Sequence, residues 1–434
     1  MSDPAGALRR QLAALWHVEA AKVIGRAARI VRDLGVAEDI AQDVLLSALE
    51  RWPDDGIPDR PGAWLMTAAT RRALDHLRHR AVIADKEGEL SQELDFRHAL
   101  AAEEAAERVD AALDDPIGDD LLRLIFTACH PLLAPEARCA LTLKVMGGLS
   151  TTEIARAYLK PEATIAQRIV RAKRSLAAAR VPCEVPRGSA LVERLGSVLE
   201  VIYLIFNEGY AATTGEDWMR PALAEEALRL GRVLASLLPG ESEVLGLLAL
   251  MEIQASRFAA RLAPDGQPVL LMDQDRSRWD RLLIRRGLDA LARTGDLPGP
   301  LGPYALQASI AACHARAPRP ADTDWVHITA LYDALVHVLP SPVVQLNRAV
   351  AVGMAFGPAA GLEATTPLLA VAALQDYHLL PAVRGDLLAR LGRHAEARQA
   401  FEQAAGLARN AREKALLAAR AAACREPDGG PGDA

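Results

Sequence analysis

Between Asp39 and Leu49 the apolar residues Ile40, Val44, Leu45 and Leu49 recur at helical spacing, and Asp39, Gln42 and Asp43 fall on the polar side. This pattern predicts an amphipathic helix with those four apolar side chains facing inward. Trp52-Pro53-Asp54-Asp55-Gly56-Ile57-Pro58 follows, and its prolines and glycine predict a rigid loop. Ala63-Trp64-Leu65-Met66-Thr67 then leads into Arg71-Arg72-Ala73-Leu74-Asp75-His76-Leu77-Arg78, a basic helix with an aromatic residue near its start. An aromatic ring beside arginines suits unstacked nucleic-acid bases, the ring taking a base face and Arg the backbone. Trp64 taken alone would more often belong to a helical core.

A second pattern begins at Ser150-Thr151-Thr152-Glu153, the signature of a capping box in which a hydroxyl accepts from the first-turn amides and the carboxylate reaches back. Ile154, Ala155 and Tyr158 share one face of the short helix that follows. Lys160-Pro161 ends it, because proline cannot continue the ladder and pushes its predecessor out of helical geometry. A second helix is expected from Glu162 to about Ala178. At about 100° per residue, Ile165, Ile169, Ala172 and Leu176 form its buried stripe. Thr164, Gln167, Arg168, Arg171, Arg174 and Ser175 occupy the opposite arc, where every side chain can donate a hydrogen bond. Arg grips the O6/N7 edge of guanine in a bidentate fashion and Gln pairs with adenine, so the arc suits major-groove readout. Lys173 and Val170 lie off it and are assigned no base contact.

Pro182, Pro186 and Gly188 mark a break, after which residues 190–425 read as successive helices. They are separated by Pro239-Gly240, Pro264-Asp265-Gly266, Gly299-Pro300, Pro318 to Pro320 and Pro340 to Pro342. Near the end, Leu388, Gly392, Ala397, Phe401 and Ala404 match the packing positions of a tetratricopeptide repeat, and Leu346 to Gly353 opens a more degenerate one. An α-solenoid-like domain follows from this, with an ordinary Ala-rich bundle as its alternative. The polar Gly/Pro-rich end, residues 426–434, is expected to be a disordered tail.

Composition narrows the class. Phe, Trp and Tyr number six each in 434 residues although 51% of the chain is apolar, so the apolar mass is Ala, Leu and Val, which favours helices over sheets. Five cysteines, Cys129, Cys139, Cys183, Cys313 and Cys424, are widely spread with no CxxC pair, which argues against a disulfide framework or a thiolate metal site. The first residues mix acidic and basic side chains before any apolar run, and Val198 to Phe206 is far shorter than the ~20 residues a bilayer demands. A cytoplasmic protein without a membrane segment is expected. Asp273-Gln274-Asp275-Arg276 with Asp280 is read as a capped helix start held by salt bridges, and Cys129-His130 and Cys313-His314 are assigned to packing. No metal, cofactor or catalytic residue is expected.

Charge is strongly segregated beneath a formal net of −6. Residues 85–120 carry 13 acidic side chains against Lys86, Arg97 and Arg108. The preceding block 60–80 is net +4 and the block 150–180 is net +5. Two basic modules flank an acidic connector.

With these residues in view, residues 10–180 resemble an extracytoplasmic-function (ECF, group four) sigma factor of bacterial RNA polymerase. The matching stretches are AEDIAQDVLLSALERWP, PGAWLMTAATRRALDHLR and LSTTEIARAYLKPEATIAQRIVRAKRSL, the last being the most specific. The long helical tail resembles the subgroup with a tetratricopeptide-like extension. The resemblance implies an all-α chain divided as sigma region 2 at 8–84, an acidic linker at 85–118, sigma region 4 at 119–181 and a helical extension at 190–425. It implies that the helix bearing Asp39, Gln42 and Asp43 docks on the clamp helices of the polymerase β′ subunit. Region 4 would meet the β flap, and the acidic connector would thread basic channels of the polymerase. Trp64, Thr67, Thr70, Arg71, Arg72 and Arg78 would capture and melt the −10 element, and Thr164, Gln167, Arg168, Arg171 and Arg174 would read the −35 element. Thr70 stands where related sequences carry Asn. The extension is expected to regulate activity through a protein or ligand partner. A stand-alone one-component regulator with a sensing tail is the alternative reading of the same helix-turn-helix.

Overall fold

The computed structural model describes residues 4–87, 116–158, 160–211, 218–264 and 266–424, and divides the chain into two compact units, Met1–Leu204 and Ile205–Ala434. Helices account for the architecture. Among the described residues there is no β-strand, and one isolated bridge pairs Leu262 with Pro268. Of the connector expected at 85–118, residues 88–115 lie outside the described residues, while 85–87 end α3 and 116–118 open the next helix. The tail expected at 426–434 also lies outside them.

The first unit opens with α1 (Pro4–Val31), α2 (Leu34–Asp55) and α3 (Pro61–Glu87), with α1 packed on both partners. Asp33 starts α2 by accepting from the Gly35 and Val36 amides. The core of this bundle is Val23, Ala27, Val44, Ala48, Trp52, Leu65, Ala69 and Ala73, where the alanines let the helix axes approach. Two expectations are corrected here. Helix α2 runs on through Trp52 and Pro53 to Asp55, because Trp52 is buried and anchors the last turn, where proline forfeits one hydrogen bond at most. Leu49 is 39% exposed, beside Leu46 at 55%, while Ile40 and Val44 are buried as expected.

The unit continues with α4 (Pro116–Ala128), α5 (Pro135–Val145), α6 (Thr151–Tyr158) and α7 (Glu162–Ala178). Helix α4 lies against α1 so closely that a Cβ on Gly25 would come within 2.9 Å of the Asp120 carbonyl oxygen. Glycine is what permits the crossing. Asp120 itself is buried, with Arg26, Arg29 and Arg123 at 3.8, 3.6 and 3.8 Å. The following helix, α8 (Ser189–Tyr210), holds α4 and α5 through its first half. Arg194 donates to the Phe126 carbonyl at 2.8 Å, and Glu200 pairs with Arg138 at 3.0 Å. The dividing line between the two units falls inside this helix.

The second unit comprises α9 (Pro221–Leu237), α10 (Ser242–Ala255), α11 (Arg281–Gly295), α12 (Pro303–Arg316), α13 (Trp325–Val338), α14 (Pro342–Ala355), α15 (Pro358–Thr365), α16 (Leu379–Arg390), α17 (His394–Leu407) and α18 (Ala411–Ala423). Helix α10 is its most enclosed element, flanked by α9, α11 and α12. From α13 onward each helix packs on its sequence neighbour, as in a repeat array. Prolines open α9, α12, α14 and α15, and of these Pro342 of α14 belongs to a break read from the sequence. The repeat spacing is realised in α16 and α17. Gly392 turns the chain at φ +75°, and Ala397, Phe401 and Ala404 are buried with Leu388. Phe401 fills the space over Gly385, where a Cβ would sit 3.0 Å from the ring.

Candidate nucleic-acid interface

The capping box forms as expected. Glu153 accepts from the Ser150 amide and hydroxyl, both at 2.7 Å, and the Ser150 hydroxyl accepts from the Glu153 amide at 3.1 Å. Lys160 and Pro161 then form the turn, and α7 starts at Glu162. Its stripe of Ile165, Ile169, Ala172 and Leu176 is buried. Opposite it Gln167, Arg171, Arg174 and Ser175 are exposed, and Thr164 and Arg168 are half-buried at the edge. A helix held by one apolar stripe thus presents guanidinium and amide donors to solvent on the other side, the form an α-helix needs to enter a major groove. Lys173 faces back into the unit, which agrees with its exclusion from the arc.

Helix α3 brings only part of its set together. A cavity of about 850 Å³ is walled by Thr67, Thr70 and Arg71 of α3, by Lys22 and Arg26 of α1, and by Arg60 at the start of α3, with Glu19 and Asp120 also on its lining. The Thr70 hydroxyl receives Arg26 Nε at 3.4 Å and donates to the Met66 carbonyl at 2.9 Å. The Thr67 hydroxyl donates to the Ala63 carbonyl at 2.9 Å. Trp64, Arg72 and Arg78 stand apart from the cavity. Trp64 packs edge-on against Trp52 with ring centres 5.4 Å apart, Arg72 turns to the Ser47 hydroxyl, and Arg78 pairs with Asp75 at 2.7 Å. Lys22, Arg26 and Arg60 escaped the sequence reading. Arg60 had a signal, since it belongs to the basic block, but Lys22 and Arg26 lie some 40 residues upstream and only the fold carries them to α3.

On α2 Asp39, Gln42 and Asp43 are all exposed, and Leu46 and Leu49 extend the same helix's solvent side. An acidic patch with two uncovered leucines is a surface that a protein partner can dehydrate. One turn away Glu38 points inward. It is 5% exposed and takes Lys173 of α7 at 2.5 Å and Lys144 of α5 at 3.8 Å, with Gln42 Nε2 at 3.5 Å. One carboxylate thereby ties the α1–α3 bundle to the helix-turn-helix, alongside the Asp120 cluster between α1 and α4.

The remaining sequence candidates resolve without chemistry. Asp280 caps α11 by accepting from the Leu282 and Leu283 amides, and Asp275 accepts from Ser277. The expected salt bridges there do not form, because Arg276 turns inward to backbone carbonyls. Burial pushes the Cys129 thiol up to about 11 and Cys139 up to about 12, which keeps both protonated and unreactive. No group of metal-ligating side chains occurs among the described residues, and no helix is long and apolar enough to cross a membrane.

Residues 16–82 match the family model for sigma-70 region 2, and residues 123–176 match that for sigma-70 region 4. A three-helix module with a cationic cavity, followed by a helix-turn-helix, is accordingly the two-module core of a sigma-70-type initiation factor. The probable ECF RNA polymerase sigma factor SigI of Mycobacterium tuberculosis is 28% identical over 174 residues, covering 40% of this chain and 57% of its own length. The ECF RNA polymerase sigma factor SigK of Mycobacterium ulcerans is 28% identical over 184 residues, covering 40% of this chain and 92% of its own. The chain belongs to the ECF sigma factors and carries a C-terminal extension beyond their two modules. That decides the reading of the helix-turn-helix in favour of the initiation factor. Within the extension, residues 194–295 match a family of unknown function, DUF6596. Over nearly its whole length the chain is similar to the uncharacterized protein R00370 of Rhizobium meliloti, at 43% identity over 397 residues, 91% of this chain and 92% of that one.

Proposed function

We propose that this sigma factor directs core RNA polymerase to promoters in the cytoplasm by a division of labour among three surfaces, itself catalysing nothing. Gln167, Arg168, Arg171 and Arg174, with Thr164, read the −35 element in the major groove, through base edges and phosphates. Thr67, Thr70 and Arg71, joined by Arg26 and Arg60 around the α1–α3 cavity, take a base extruded from the −10 strand and the phosphates beside it. Binding energy is thereby applied to strand separation. Trp64, Arg72 and Arg78 complete the −10 surface outside that cavity, with Trp64 braced by Trp52. Asp39, Gln42 and Asp43, with Leu46 and Leu49, meet the β′ clamp helices, and region 4 meets the β flap. The extension regulates these steps through a protein or ligand partner.

The observation that carries this reading is the exposed Gln167/Arg171/Arg174 face on a helix whose opposite stripe is buried. Run-off transcription with purified core polymerase and the full chain tests it. Arg168→Ala with Arg171→Ala is expected to abolish −35-dependent initiation while leaving co-purification with core polymerase intact. Unchanged transcription in the double variant would remove the recognition helix from the reading. Asp39→Lys with Asp43→Lys is expected to do the reverse, losing the polymerase and keeping the fold.

A further inference from the structure

Between α10 and α11 the second unit turns three arginines inward. Arg261 and Arg276 are 7% and 5% exposed, and Arg257 is half-buried. The Arg261 guanidinium sits 3.6 Å from the centre of the Tyr210 ring and 5.8 Å from that of Trp218. Arg257 lies 5.6 Å from Tyr210 and 5.8 Å from Trp279, and Arg276 lies 5.1 Å from Trp279. Arg276 donates to the His314 and Ala317 carbonyls at 2.8 and 2.6 Å and to the Thr323 hydroxyl at 3.2 Å. Arg257 donates to the Tyr210 hydroxyl and to the Gln254 side-chain oxygen.

Among the described residues no carboxylate stands within ion-pair distance of these three guanidiniums. The acids nearby are engaged elsewhere: Glu208 with Arg220, Asp322 with Arg319, Asp280 with the start of α11 and Asp275 with Ser277. Nε of all three arginines, Nε1 of Trp279 and Nδ1 of His314 are buried without a hydrogen-bond partner. Burial lowers the hold of Arg261 and Arg276 on their protons, and burial with the charges of Arg257 and Arg276 brings His314 down to about 4. Concentrated, desolvated positive charge with unused donors is an arrangement that an anion completes.

We propose that Arg257, Arg261 and Arg276, lined by Tyr210, Trp218 and Trp279, form a receptor for a small oxyanion, a phosphate or carboxylate group that enters past the half-exposed Tyr210 and Trp218. The receptor lies within the stretch matched to the family of unknown function. It gives chemistry to the regulatory reading of the extension, and it rests on that reading only for its purpose. It is tested by binding, without polymerase or promoter, so its failure and that of the sigma mechanism are told apart.

Two sources of the anion are distinguishable: a free ligand, or Glu216 and Asp217 of residues 212–217, which adjoin Trp218 in sequence. The probe is inorganic phosphate, added to the full chain at constant ionic strength and followed by phosphorus NMR and by the Nε–Hε signals of isotope-labelled arginine. Expected are one saturable site with Kd at or below about 10 mM, displacement by succinate, and movement of the buried arginine signals. Arg257→Lys with Arg261→Lys keeps the charge and removes the fork, and is expected to weaken binding by about tenfold or more. Arg278→Gln, an exposed neighbour, is expected to leave it unchanged. No binding to the wild-type chain overturns the proposal. So does binding that appears only in Glu216→Gln with Asp217→Gln, which would assign the site to the chain's own carboxylates. Undiminished binding in the double Lys variant would place the ion elsewhere. If that variant does not fold, the arginine signals of the wild-type chain decide, and their failure to move overturns the proposal.

Discussion

Glu38 offers the sharpest test of how the two DNA-binding modules are held together. Its carboxylate is 5% exposed and meets Lys173 at 2.5 Å and Lys144 at 3.8 Å, while both lysines keep about a fifth to a quarter of their side chains in water. Glu38→Gln preserves shape and removes the charge. The contact is an ion pair and not a hydrogen bond, since Glu38 Oε2 has no hydrogen-bond partner. Such a pair contributes from about 1 kcal/mol when exposed to about 3 kcal/mol when buried. The partial exposure of the lysines places the loss toward the lower end, because solvent screens the freed ammonium groups. At about 1.4 kcal/mol per decade, the ratio of packed to separated modules falls by roughly ten- to a hundredfold.

The assay is intramolecular energy transfer between dyes on the exposed side of α2 and the C-terminal turn of α7 in the full chain, titrated with denaturant and salt. Lys173→Gln should mimic Glu38→Gln, and the double variant should cost little more than either alone. A coupling energy of about 0.5–3 kcal/mol is expected for residues in contact. Strictly additive single effects, or a packed state indifferent to Glu38→Gln, would refute the clasp.

Other consequences follow from single side chains. Arg171→Ala should weaken −35-dependent transcription by about 1–3 kcal/mol, roughly 5- to 150-fold, at that base pair alone, measured on promoter variants. His314 is held at about 4 against an ordinary 6.5, so the unfolded chain binds its proton more readily than the folded one. Stability from this site is therefore fully present above pH 6.5 and lost as pH falls toward 4, by about 3 kcal/mol at ~1.4 kcal/mol per unit. His314→Gln should flatten that part of the pH profile of thermal unfolding. Phe401→Ala should cost the second unit about 3–5 kcal/mol, read from its calorimetric transition, since the ring is 1% exposed and packed over Gly385.

What could be read from the sequence divides along a physical line. The helix-turn-helix was legible almost to the residue, because its signals are local. A capping box acts over three positions, a proline over two, and a stripe of Ile165, Ile169, Ala172 and Leu176 over about three turns. The repeat at Gly392 to Ala404 was legible for the same reason. The α1–α3 cavity was half-legible. Thr67, Thr70 and Arg71 share one helix, but Arg26 reaches them only because α1 crosses α3, a contact between residues 44 apart. Leu49 misled, since spacing alone does not tell a core leucine from one kept uncovered on a helix edge. Glu38 gave no warning at all. In sequence it is one more acid beside Asp39, and its role appears only when Lys144 and Lys173 arrive from another module. The arginines at 257, 261 and 276 were invisible as a group, because arginine is ordinarily a surface residue and nothing in a linear pattern turns it inward.

In the proposed reading Arg26 serves both packing and DNA, and Asp120 shows the consequence. This buried carboxylate lies on the wall of the α1–α3 cavity and is surrounded by Arg26, Arg29 and Arg123 at 3.6–3.8 Å. Arg26 is also the cavity's hydrogen-bond donor to Thr70, on the surface assigned to the −10 strand. Asp120→Asn should act in two opposite directions. It should destabilise the first unit by about 3–5 kcal/mol, since it strips a buried charge cluster of its anion. It should also raise the affinity of the free chain for promoter DNA at low salt, because phosphates take the place of the lost carboxylate. Each phosphate newly contacted steepens the fall of log K with log salt by about 0.9. A steeper salt dependence accompanied by a lower melting temperature is the expected pair. A lower melting temperature with an unchanged salt slope would mean that Asp120 is purely a structural counter-ion, and that the cavity's arginines do not face DNA.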